Sequence, residues 1–507
     1  MADVRAEHPS LQAFLAQTLS PSERASVFLP TFSQWPFSLA ALSEVALALR
    51  TIGSRVTFGF WGGSTPLPDV GWMSDRWVAR ITGTRTRDAW TQQALKRAGF
   101  PKSSFVDPPI KGWEPKNEIP ATPGTSRSQI RRLTYRQSPM GRAILQLRPD
   151  HAVPVTDAYR WPAPWLERSI RSYAWVFDQV DELITTGAIT SVVVSNGRFL
   201  HDRAAAEAAL ARGIAVLYYD YGGADTAFDL TREKTHDWAA LQVRMRRMFA
   251  EWPEEERGQV GSSWFEGRRT HTDAANQAFT DAQVRGRGVD VPDGKRLVVF
   301  FSSSGDEFAE FELDWDEYFG GQPQALKVVA DACREHDDVY FVVRSHPHKR
   351  RKAPQDVEDW HAAVEQAAPD LHLDEWSDVD SYELMSQADL VVTYGSTTGV
   401  EAAYQGRPVM VMGPSAYDEL DCAVRPTTAA EVHDMVAHPK SPDRDGALAF
   451  GLMMKRRGFA LEVMTREPDG RFALDGTVIA EPSELSRKLA HILHRRDRRA
   501  ISEGMWE

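Results

Sequence analysis

The sequence predicts an α/β protein made of two Rossmann-like domains, whose parallel sheets face a central cleft. Short apolar runs alternate with amphipathic helical segments in both halves of the chain, a pattern typical of βαβ units. A stretch rich in Gly, Pro and Arg at 285–295 separates the two series. The length of 507 residues also exceeds what one core accommodates. We expect an N-terminal domain at 1–285 and a C-terminal domain at 286–480, followed by an amphipathic helix at 481–507.

The first domain begins with a βαβ unit. Two short apolar strands flank an apolar-faced helix, which ends at Gly53. The predicted segments are the strand Val27–Leu29, the loop Thr31–Phe37, the helix Ser38–Arg50 and the strand Arg55–Phe60. The loop places Ser33 and Gln34 at the carboxyl end of the first strand, where open parallel sheets bind ligands. Both are therefore candidate binding residues.

A second βαβ unit in the same domain covers residues 191–219. Its predicted segments are the strand Ser191–Val194, the helix Asp202–Arg212 and the strand Ile214–Tyr219. Between the two units, residues 102–154 are rich in Pro, Arg and Lys and show no sustained period. We interpret them as an insertion whose charges are solvated or paired with neighbouring acids, and the alternative is a lid that faces an anionic ligand.

The second domain shows the same alternation of strands and helices after the linker. Its predicted strands are Leu297–Phe301, Val339–Val343, Leu390–Thr393 and Pro408–Met412. Its predicted helices are Gln324–Glu335, Ser381–Ala388 and one that starts near Thr398. This order predicts a second parallel sheet.

The composition excludes several classes of protein. The 59 basic and 71 acidic residues give a net charge of −12, which argues against a nucleic-acid partner. The two cysteines, Cys333 and Cys422, exclude a disulfide framework or a Cys-rich zinc module, and both are expected in the core. Neither a signal peptide nor a membrane span is visible. We therefore expect a cytoplasmic protein, with at most peripheral contact at the inner face of the membrane.

Three polar loops follow predicted strands of the second domain, at 302–307, 344–347 and 394–401. The carboxyl ends of parallel strands meet at one edge of a sheet, so these loops are expected to lie together. In the third loop, small hydroxyl residues open a helix, where backbone N–H groups can bind a phosphate. The alternative is that these hydroxyls only cap the helix. The hydroxyl residues are Ser396, Thr397 and Thr398.

Other side chains of these loops extend the candidate site. Glu401 lies about one turn inside the helix, where a carboxylate can accept hydrogen bonds from ribose hydroxyls. His346 lies between Arg344 and Pro347, and we expect its imidazole to donate to a phosphate as the bond to a sugar breaks. Asp378 and Asp380 resemble a DxD metal site, but a helix N-cap explains that position without a metal. No metal or other cofactor is expected.

Several of these stretches resemble one known family. The segments are FFSSSGDEF with Trp315 and Gln322 after it, then RSHP, then the run from Asp378 to Pro408, and in the first domain SNGRFLHDRAAAEAALARGIAVLYYDYGG. They resemble the bacterial capsule polysaccharide biosynthesis family, which includes Kdo transferases of GT-B fold. The chain has Asp220 and Tyr221 where the family's turn usually carries Glu and Arg.

The resemblance implies a GT-B-like glycosyltransferase that uses a nucleotide-activated sugar, often a CMP-linked acidic sugar such as Kdo, and a glycan or glycolipid acceptor. On this interpretation the candidate site residues of the strand-end loops form three groups, although Asp220 could only fix a turn and Asp306 or Glu307 could only cap a helix. The catalytic candidates are His346, Asp220, Asp306 and Glu307; the donor-binding candidates are Ser303, Ser304, Arg344, Pro347, Ser396, Thr397, Thr398 and Glu401; the acceptor-side candidates are Asn196, Arg198, Ser33 and Gln34. Two alternatives remain at this point: a non-hydrolysing nucleotide-sugar 2-epimerase, and an inactive glycan-assembly or glycan-binding protein.

Overall fold

The structure is a computed structural model. It describes residues 10–32, 36–61, 65, 84–117, 119, 125–146, 157, 159–224, 226–270, 282–304, 318–467, 472–474 and 477–478. The chain forms two compact units, the first from 1–235 and 456–507 and the second from 236–455.

The strands are β1 Ser26–Thr31, β2 Arg55–Phe60, β3 Ser191–Ser195, β4 Ala215–Tyr221, β5 Ala227–Thr231, β6 Arg296–Phe301, β7 Val339–Arg344, β8 Leu371–Leu373, β9 Leu390–Thr393, β10 Val409–Val411, β11 Phe459–Ala460, β12 Met464–Arg466, β13 Phe472–Leu474 and β14 Thr477–Val478. The last three form a small antiparallel sheet.

The α-helices are α1 Leu11–Thr18, α2 Pro36–Thr51, α3 Thr84–Arg97, α4 Arg127–Arg131, α5 Met140–Gln146, α6 Ala163–Thr185, α7 Leu200–Leu210, α8 Trp238–Glu251, α9 Glu254–Arg269, α10 Gln322–Arg334, α11 Pro354–Ala367, α12 Ser381–Gln387, α13 Thr398–Tyr404, α14 Ala429–Ala437 and α15 Arg444–Arg456. Short 3₁₀ turns lie at Lys102–Ser104, Tyr318–Gly320 and Pro347–Arg351.

The first unit contains a six-stranded sheet in the order β11-β5-β4-β3-β1-β2. Strands β1 to β4 run parallel to one another, and β5 and β11 add antiparallel pairings at one side. Every residue of β1 is buried, which explains why this strand is a nearly continuous apolar run rather than an alternating one. The winding reverses between β1 and β3, so the carboxyl ends of these strands form a topological switch point.

The second unit contains a five-stranded parallel sheet in the order β10-β9-β6-β7-β8. In chain order this is the doubly wound arrangement, with β6 in the middle and the switch point between β6 and β9. Two apolar clusters contain buried residues of this sheet. The predicted fold class of two Rossmann-like units is confirmed, and each strand predicted from an apolar run is present.

The boundary between the units differs from the predicted linker. Helices α8 and α9 belong to the second unit because Met245, Phe249 and Trp264 share a core cluster with β6 residues such as Val299. The boundary therefore lies at 235/236 rather than 285/286. After α15 the chain returns to the first sheet as β11, so the tail from 456 joins the first unit and does not stand apart. The predicted C-terminal helix at 481–507 lies outside the described residues.

The predicted insertion at 102–154 is partly a core element. Ile130, Met140 and Ile144 are fully buried in a cluster with residues of α6. Two of its basic residues do pair with acids, since Lys116 lies 2.9 Å from Glu182 and Arg136 lies 2.9 Å from Asp181. The described part of this stretch is thus held on α6 by apolar contacts as well as by charge, and the expectation of a solvated insertion is corrected there.

Within the described helices, none combines the length and the apolar character that a membrane crossing requires. Both Cys333 and Cys422 are buried thiols, as expected from the sequence.

Candidate functional site

The three polar loops of the second unit lie on neighbouring strands. Strand β6 pairs with β7 on one side and with β9 on the other, and Phe301 is in register with both Arg344 and Thr393. The described loop segments at 302–304, 344–347 and 394–401 therefore start from one edge of the sheet, at its switch point. This confirms that the sequence pattern brings the three strand ends together.

The first two loops are held together by short hydrogen bonds. The backbone N–H of His346 donates to the Ser302 hydroxyl at 2.8 Å, and the N–H of Ser302 donates to the Arg344 carbonyl at 3.0 Å. The N–H of Ser303 donates to the side-chain oxygen of Gln322 at 2.6 Å. Ser303 is buried, whereas Ser304 is half-buried. These contacts fix the backbone of the predicted donor loop.

His346 is held as a neutral imidazole with a defined proton position. Its Nδ1 accepts a hydrogen bond from the backbone N–H of His348 at 3.1 Å, so the ring proton lies on Nε2. Burial, together with the charges of His348, Lys349 and other nearby cations, lowers the pKa of His346 to about 3. The side chain is half-buried and retains some exposed surface. Such a ring can donate from Nε2 at neutral pH, but Nε2 cannot act as a base while it carries the proton.

Pro347 begins the 3₁₀ turn that follows His346. A proline suits this first position because its missing N–H has no partner there and its fixed φ fits the turn. The turn brings the His348 N–H back onto the His346 ring. Pro347 is thus placed to orient the imidazole through the backbone.

The side chain of Arg344 has other partners than the predicted phosphate. Its guanidinium is buried and donates to the carbonyls of Asp374 at 2.5 Å and Ser377 at 3.1 Å. The pKa of Arg344 is lowered to about 10, mainly by burial and further by the nearby charge of Arg350. These contacts connect the end of β7 to the loop after β8. Arg344 therefore braces this edge of the sheet, in place of the predicted phosphate contact.

The hydroxyl loop after β9 combines tight packing with local hydrogen bonds. Gly395 has φ +75°, a conformation that other residues rarely adopt. The N–H of Thr398 donates to the Ser396 hydroxyl at 3.3 Å, which in turn donates to the Thr398 hydroxyl at 3.0 Å. Thr397 is exposed and its side chain does not cap α13. Ser396 thus supplies the turn contact that the capping alternative assigned to this group.

The side chain of Tyr417 also holds the loop after β9 in place. The Tyr417 hydroxyl donates to the Ser396 carbonyl at 2.5 Å. A side chain at Gly399 would overlap that same hydroxyl, so the closest approach requires glycine. Tyr417 was not among the predicted site residues, because its position follows from the fold and no local motif marks it.

Glu401 already has a charged partner. Arg268 on α9 donates from Nε and Nη2 to Oε1 of Glu401, each at 3.0 Å, and both side chains are largely buried. The predicted contact with ribose hydroxyls must therefore share this carboxylate with Arg268. The sequence could not indicate this, because the ion pair joins two helices that are far apart along the chain.

The two acids of the DxD pattern have structural partners. Asp380 caps α12, since its Oδ1 accepts from the Tyr382 N–H at 2.9 Å and its Oδ2 accepts from the Gly286 N–H at 2.8 Å. Asp378 forms an ion pair with Arg287. The N-cap predicted for this position is confirmed.

The first unit brings a separate set of candidates to the carboxyl edge of its own sheet. Asn196 and Arg198 follow β3, and Asp220 lies near the end of the neighbouring strand β4. The Asn196 side chain accepts from the Arg198 N–H at 3.2 Å, and the Arg198 guanidinium lies over the Phe199 ring. Asn196 therefore shapes the turn that presents Arg198.

Asp220 carries a carboxyl group whose burial disfavours its charged form. Burial raises its pKa, while its hydrogen bond from the Tyr221 N–H and the charges of Arg457 and Arg198 act in the opposite direction. The Tyr221 N–H donates to Oδ1 at 2.8 Å. A carboxyl group whose pKa is raised by burial is a candidate for proton transfer or nucleophilic attack.

Arg457 is a residue that the sequence pattern did not indicate. It lies between α15 and β11, and its carbonyl accepts from the Gly223 N–H at 2.9 Å, just after β4. The RRG sequence at 456–458 is the one local signal, since Gly458 has φ +87° and contacts the backbone of Phe228. Ser33, Gln34, Asp306 and Glu307 lie outside the described residues.

One family model matches the chain. Residues 308–445, most of the second unit, match the family described as "Capsule polysaccharide biosynthesis protein". A search of curated proteins finds no match.

Solved structures with similar folds include two from Thermosulfurimonas dismutans. Its KpsC, described as a beta Kdo 2,4 transferase, has 15% identity and a TM-score of 0.35, covering 52% of this chain and 78% of that one. The beta Kdo 2,7 transferase of KpsC has 14% identity and a TM-score of 0.33, covering 63% and 90%. The S. aureus MnaA structure with UDP has 11% identity and a TM-score of 0.25, covering 93% and 97%.

At these TM-scores the fold assignment rests on the two sheets themselves. The matched segment contains β7, β9 and the loops after them. The predicted resemblance to the bacterial capsule polysaccharide biosynthesis family is confirmed, over residues 308–445.

Proposed function

We propose that the chain is a glycosyltransferase that moves a sugar from a nucleotide-activated donor, a CMP-linked acidic sugar such as Kdo, to a glycan or glycolipid acceptor. One observation carries this proposal: two of the three loops at the switch point of the second sheet fall within the family-matched segment, and one of them holds His346 as a neutral donor. Switch points of this kind are where open α/β sheets bind nucleotides.

The second unit would bind the nucleotide and its phosphate. Ser303, Ser396 and Thr398 lie at this edge, and the hydrogen bonds described above fix their loops. Fixed neutral donors suit a phosphate because they need no reorganisation when it binds. We expect this binding to proceed without a divalent metal.

His346 would stabilise the leaving nucleotide. As the bond between the anomeric carbon and the phosphate oxygen breaks, its electron pair stays on that oxygen and negative charge grows there. An Nε2–H donor then forms a stronger hydrogen bond than in the ground state, which lowers the barrier. The neutral state of the ring fits this role, since the proton is available for donation over the physiological range.

Asp220 would act on the other reacting atom. In one course it accepts the proton of the acceptor hydroxyl as the new glycosidic bond forms. In the other, its carboxylate first attacks the anomeric carbon, and the acceptor then displaces it. The first course needs a carboxylate that is more basic than usual, which burial supplies here, and the second needs the carboxyl group in its ionised form.

A thermal-shift panel of CMP, UDP, GDP and ADP with the full chain tests the nucleotide part of the proposal. We expect CMP to raise the melting temperature most, with the shift unchanged by EDTA. A shift that disappears with EDTA and returns with magnesium or manganese would contradict the metal-free site. The absence of a shift with all four nucleotides would contradict the transferase.

Incubation of CMP-Kdo with and without acceptor tests the reaction. A transferase consumes the donor in step with glycan product and needs the acceptor. An epimerase would interconvert a nucleotide sugar alone, and an inactive assembly protein would do neither. Product formation that depends on acceptor is the expected result.

A further inference from the structure

Arg457 is placed at the carboxyl edge of the first sheet by two anchors. Its carbonyl is fixed by the Gly223 N–H at 2.9 Å, and the strand that follows it, β11, pairs with β5. Close contact between Gly458 and the Phe228 backbone allows only glycine at the bend. This segment therefore brings an arginine from late in the chain beside the turn after β4.

Among the described residues, the Arg457 side chain has no carboxylate partner at ion-pair distance. Its Nε is a buried donor without a hydrogen-bond acceptor in the same part of the chain. The Arg457 charge is nonetheless close enough to Asp220 to act on it, as is the Arg198 charge. A buried guanidinium donor without an acceptor is costly, and an anionic ligand would remove that cost.

An aromatic ring lies at the end of the same strand, on the face opposite to the Asp220 side chain. Tyr221, the residue after Asp220, is 44% exposed and stacks on Phe37 with ring centroids 4.2 Å apart and an angle of 14° between the planes. A ring supported in this way offers a flat apolar face, of the kind that the apolar face of a sugar ring packs against. The end of β4 thus carries a carboxyl group on one face and an aromatic ring on the other, and the charge of Arg457, which acts on that carboxyl group, is what the two faces do not share.

We propose that the Arg457 guanidinium binds the carboxylate of a sugar acid at the carboxyl edge of the first sheet, beside Asp220. This inference rests on the proposed function and names the substrate class of that site. A planar carboxylate matches the fork of a guanidinium, and it carries one charge. A dianionic phosphate fits this edge less well, because Asp220 and its cross-strand partner Asp229 add negative charge nearby.

The carboxylate could come from the sugar of the donor or from a sugar acid of the acceptor, and the chemistry at Arg457 is the same. Two pairs of ligands distinguish these sources by calorimetry on the full chain. The first pair is CMP-Kdo against CMP, and the second is the methyl glycoside of Kdo against the methyl ester of that glycoside. The second pair differs in the carboxylate charge alone, and the first pair differs in the whole sugar, which includes its carboxylate.

The variants are Arg457→Gln, Arg457→Lys and the control Arg24→Gln. Arg24 precedes β1 at the opposite edge of the same sheet, so its replacement makes the same change in net charge away from Asp220. We expect Arg457→Gln to weaken binding of the carboxylate-bearing ligand by about ten-fold or more and to leave binding of the ligand without that carboxylate unchanged. Arg457→Lys should lose part of the affinity, because it keeps the charge and loses the fork.

A loss confined to the CMP-Kdo pair assigns the carboxylate to the donor, and a loss confined to the glycoside pair assigns it to the acceptor. Equal affinities of wild type and Arg457→Gln for both carboxylates would overturn the proposal. If Arg457→Gln does not fold, wild-type protein that binds the glycoside and its ester equally well, together with an Arg457→Lys variant of wild-type affinity, would overturn it instead. The affinity for CMP is measured separately. CMP binding with no preference for the carboxylate would reject the Arg457 site and leave the proposed function standing. A preference for the carboxylate without CMP binding would support the Arg457 site and contradict the proposed function.

Discussion

The carboxyl edges of the two sheets share a topology and differ in chemistry. At the second sheet, the proposed donor is the neutral ring of His346, which a hydrogen bond from the His348 N–H orients and whose pKa burial and nearby cations lower. At the first sheet, Asp220 lies among the charges of Arg198 and Arg457. Parallel strands thus determine where a site can form, and the loop residues determine whether it carries neutral donors or charge.

The difference has a physical basis in the proposed reaction. A phosphate brings its own charge, so fixed neutral donors can bind it without placing further charges in a buried position. An acceptor hydroxyl or an anomeric carbon is neutral, so the protein must supply the charged group that reacts with it. Replacing the reacting carboxyl group at the first sheet and the neutral donor at the second should therefore change turnover and ligand affinity by different amounts.

The largest effect is expected at the charged edge. Asp220→Asn keeps the shape of the side chain and removes the group that takes a proton or attacks carbon, so turnover should fall by about 10³-fold. Because burial raises the pKa of Asp220, its charge is a cost to the fold, and stability should be unchanged or slightly higher.

Turnover and melting temperature must be measured on one preparation of that variant. Asp229→Asn, on the neighbouring strand and in register with Asp220, is the matched control and should have a much smaller effect on turnover. Near-normal turnover of folded Asp220→Asn protein would remove Asp220 from the reaction.

The next effect is expected at the neutral edge. His346→Ala removes a donor that acts mainly in the transition state, so turnover should fall by about 100-fold, with a smaller loss in donor affinity. His348→Ala is the control, since the backbone N–H that orients the His346 ring remains. Equal turnover of His346→Ala and wild type, with the true donor and acceptor, would contradict the role of the imidazole and weaken the transferase proposal.

Glu401 tests whether one carboxylate serves both the fold and a ligand. Glu401→Gln leaves the largely buried Arg268 without its ionic partner, which should lower the free energy of unfolding by about 3 kcal/mol. The ribose contact predicts, in addition, nucleotide binding weakened by about ten-fold.

A double-mutant cycle with Arg268→Gln separates these two effects. The stability losses of the two single variants should be far from additive, because they remove the same ion pair. Additive losses would show that the pair contributes little. An unchanged nucleotide dissociation constant in folded Glu401→Gln protein would leave the carboxylate with its structural partner alone.

The sequence indicated the parallel strands of the first sheet and four of the five strands of the second, because strands buried on both faces are apolar runs that stand out between helices. It did not indicate β5 and β11, the antiparallel strands of the first sheet. It did not indicate β8, whose three residues are Leu371, His372 and Leu373, since so short a run has no periodicity. The unit boundary was displaced because an amphipathic pattern does not specify which sheet a helix packs on. This is the case for α8 and α9.

The positions of the site residues could be predicted from the sequence, whereas the contacts of their side chains could be predicted less well. His346 and Ser396 lie at the predicted sheet edge, because the topology alone brings strand ends together. Arg344 and Glu401 lie there too, but their side chains contact Asp374 and Arg268, and such contacts depend on how distant helices and loops pack. Arg457 was missed for the same reason, since β11 brings it to the first sheet from far along the chain.

The smallest effect concerns pH and the neutral edge. In the folded protein the pKa of His346 is lowered to about 3 from an ordinary value near 6.5, first by burial and then by the charges of His348, Lys349, Lys352 and Arg344. Below pH 6.5 the unfolded chain therefore binds a proton that the folded chain does not, and the free energy of unfolding falls as pH falls toward 3. Between pH 7 and 5 this one group should lower the free energy of unfolding by about 1–2 kcal/mol.

Urea denaturation of wild type and His346→Gln at pH 7 and pH 5 measures this loss. The variant should lose less stability than wild type. The turnover of wild type should show no inflection near pH 6.5 from this ring. Equal losses in both proteins, or an inflection that His346→Gln abolishes, would mean that the ring titrates normally and that the neutral donor at this edge is wrong.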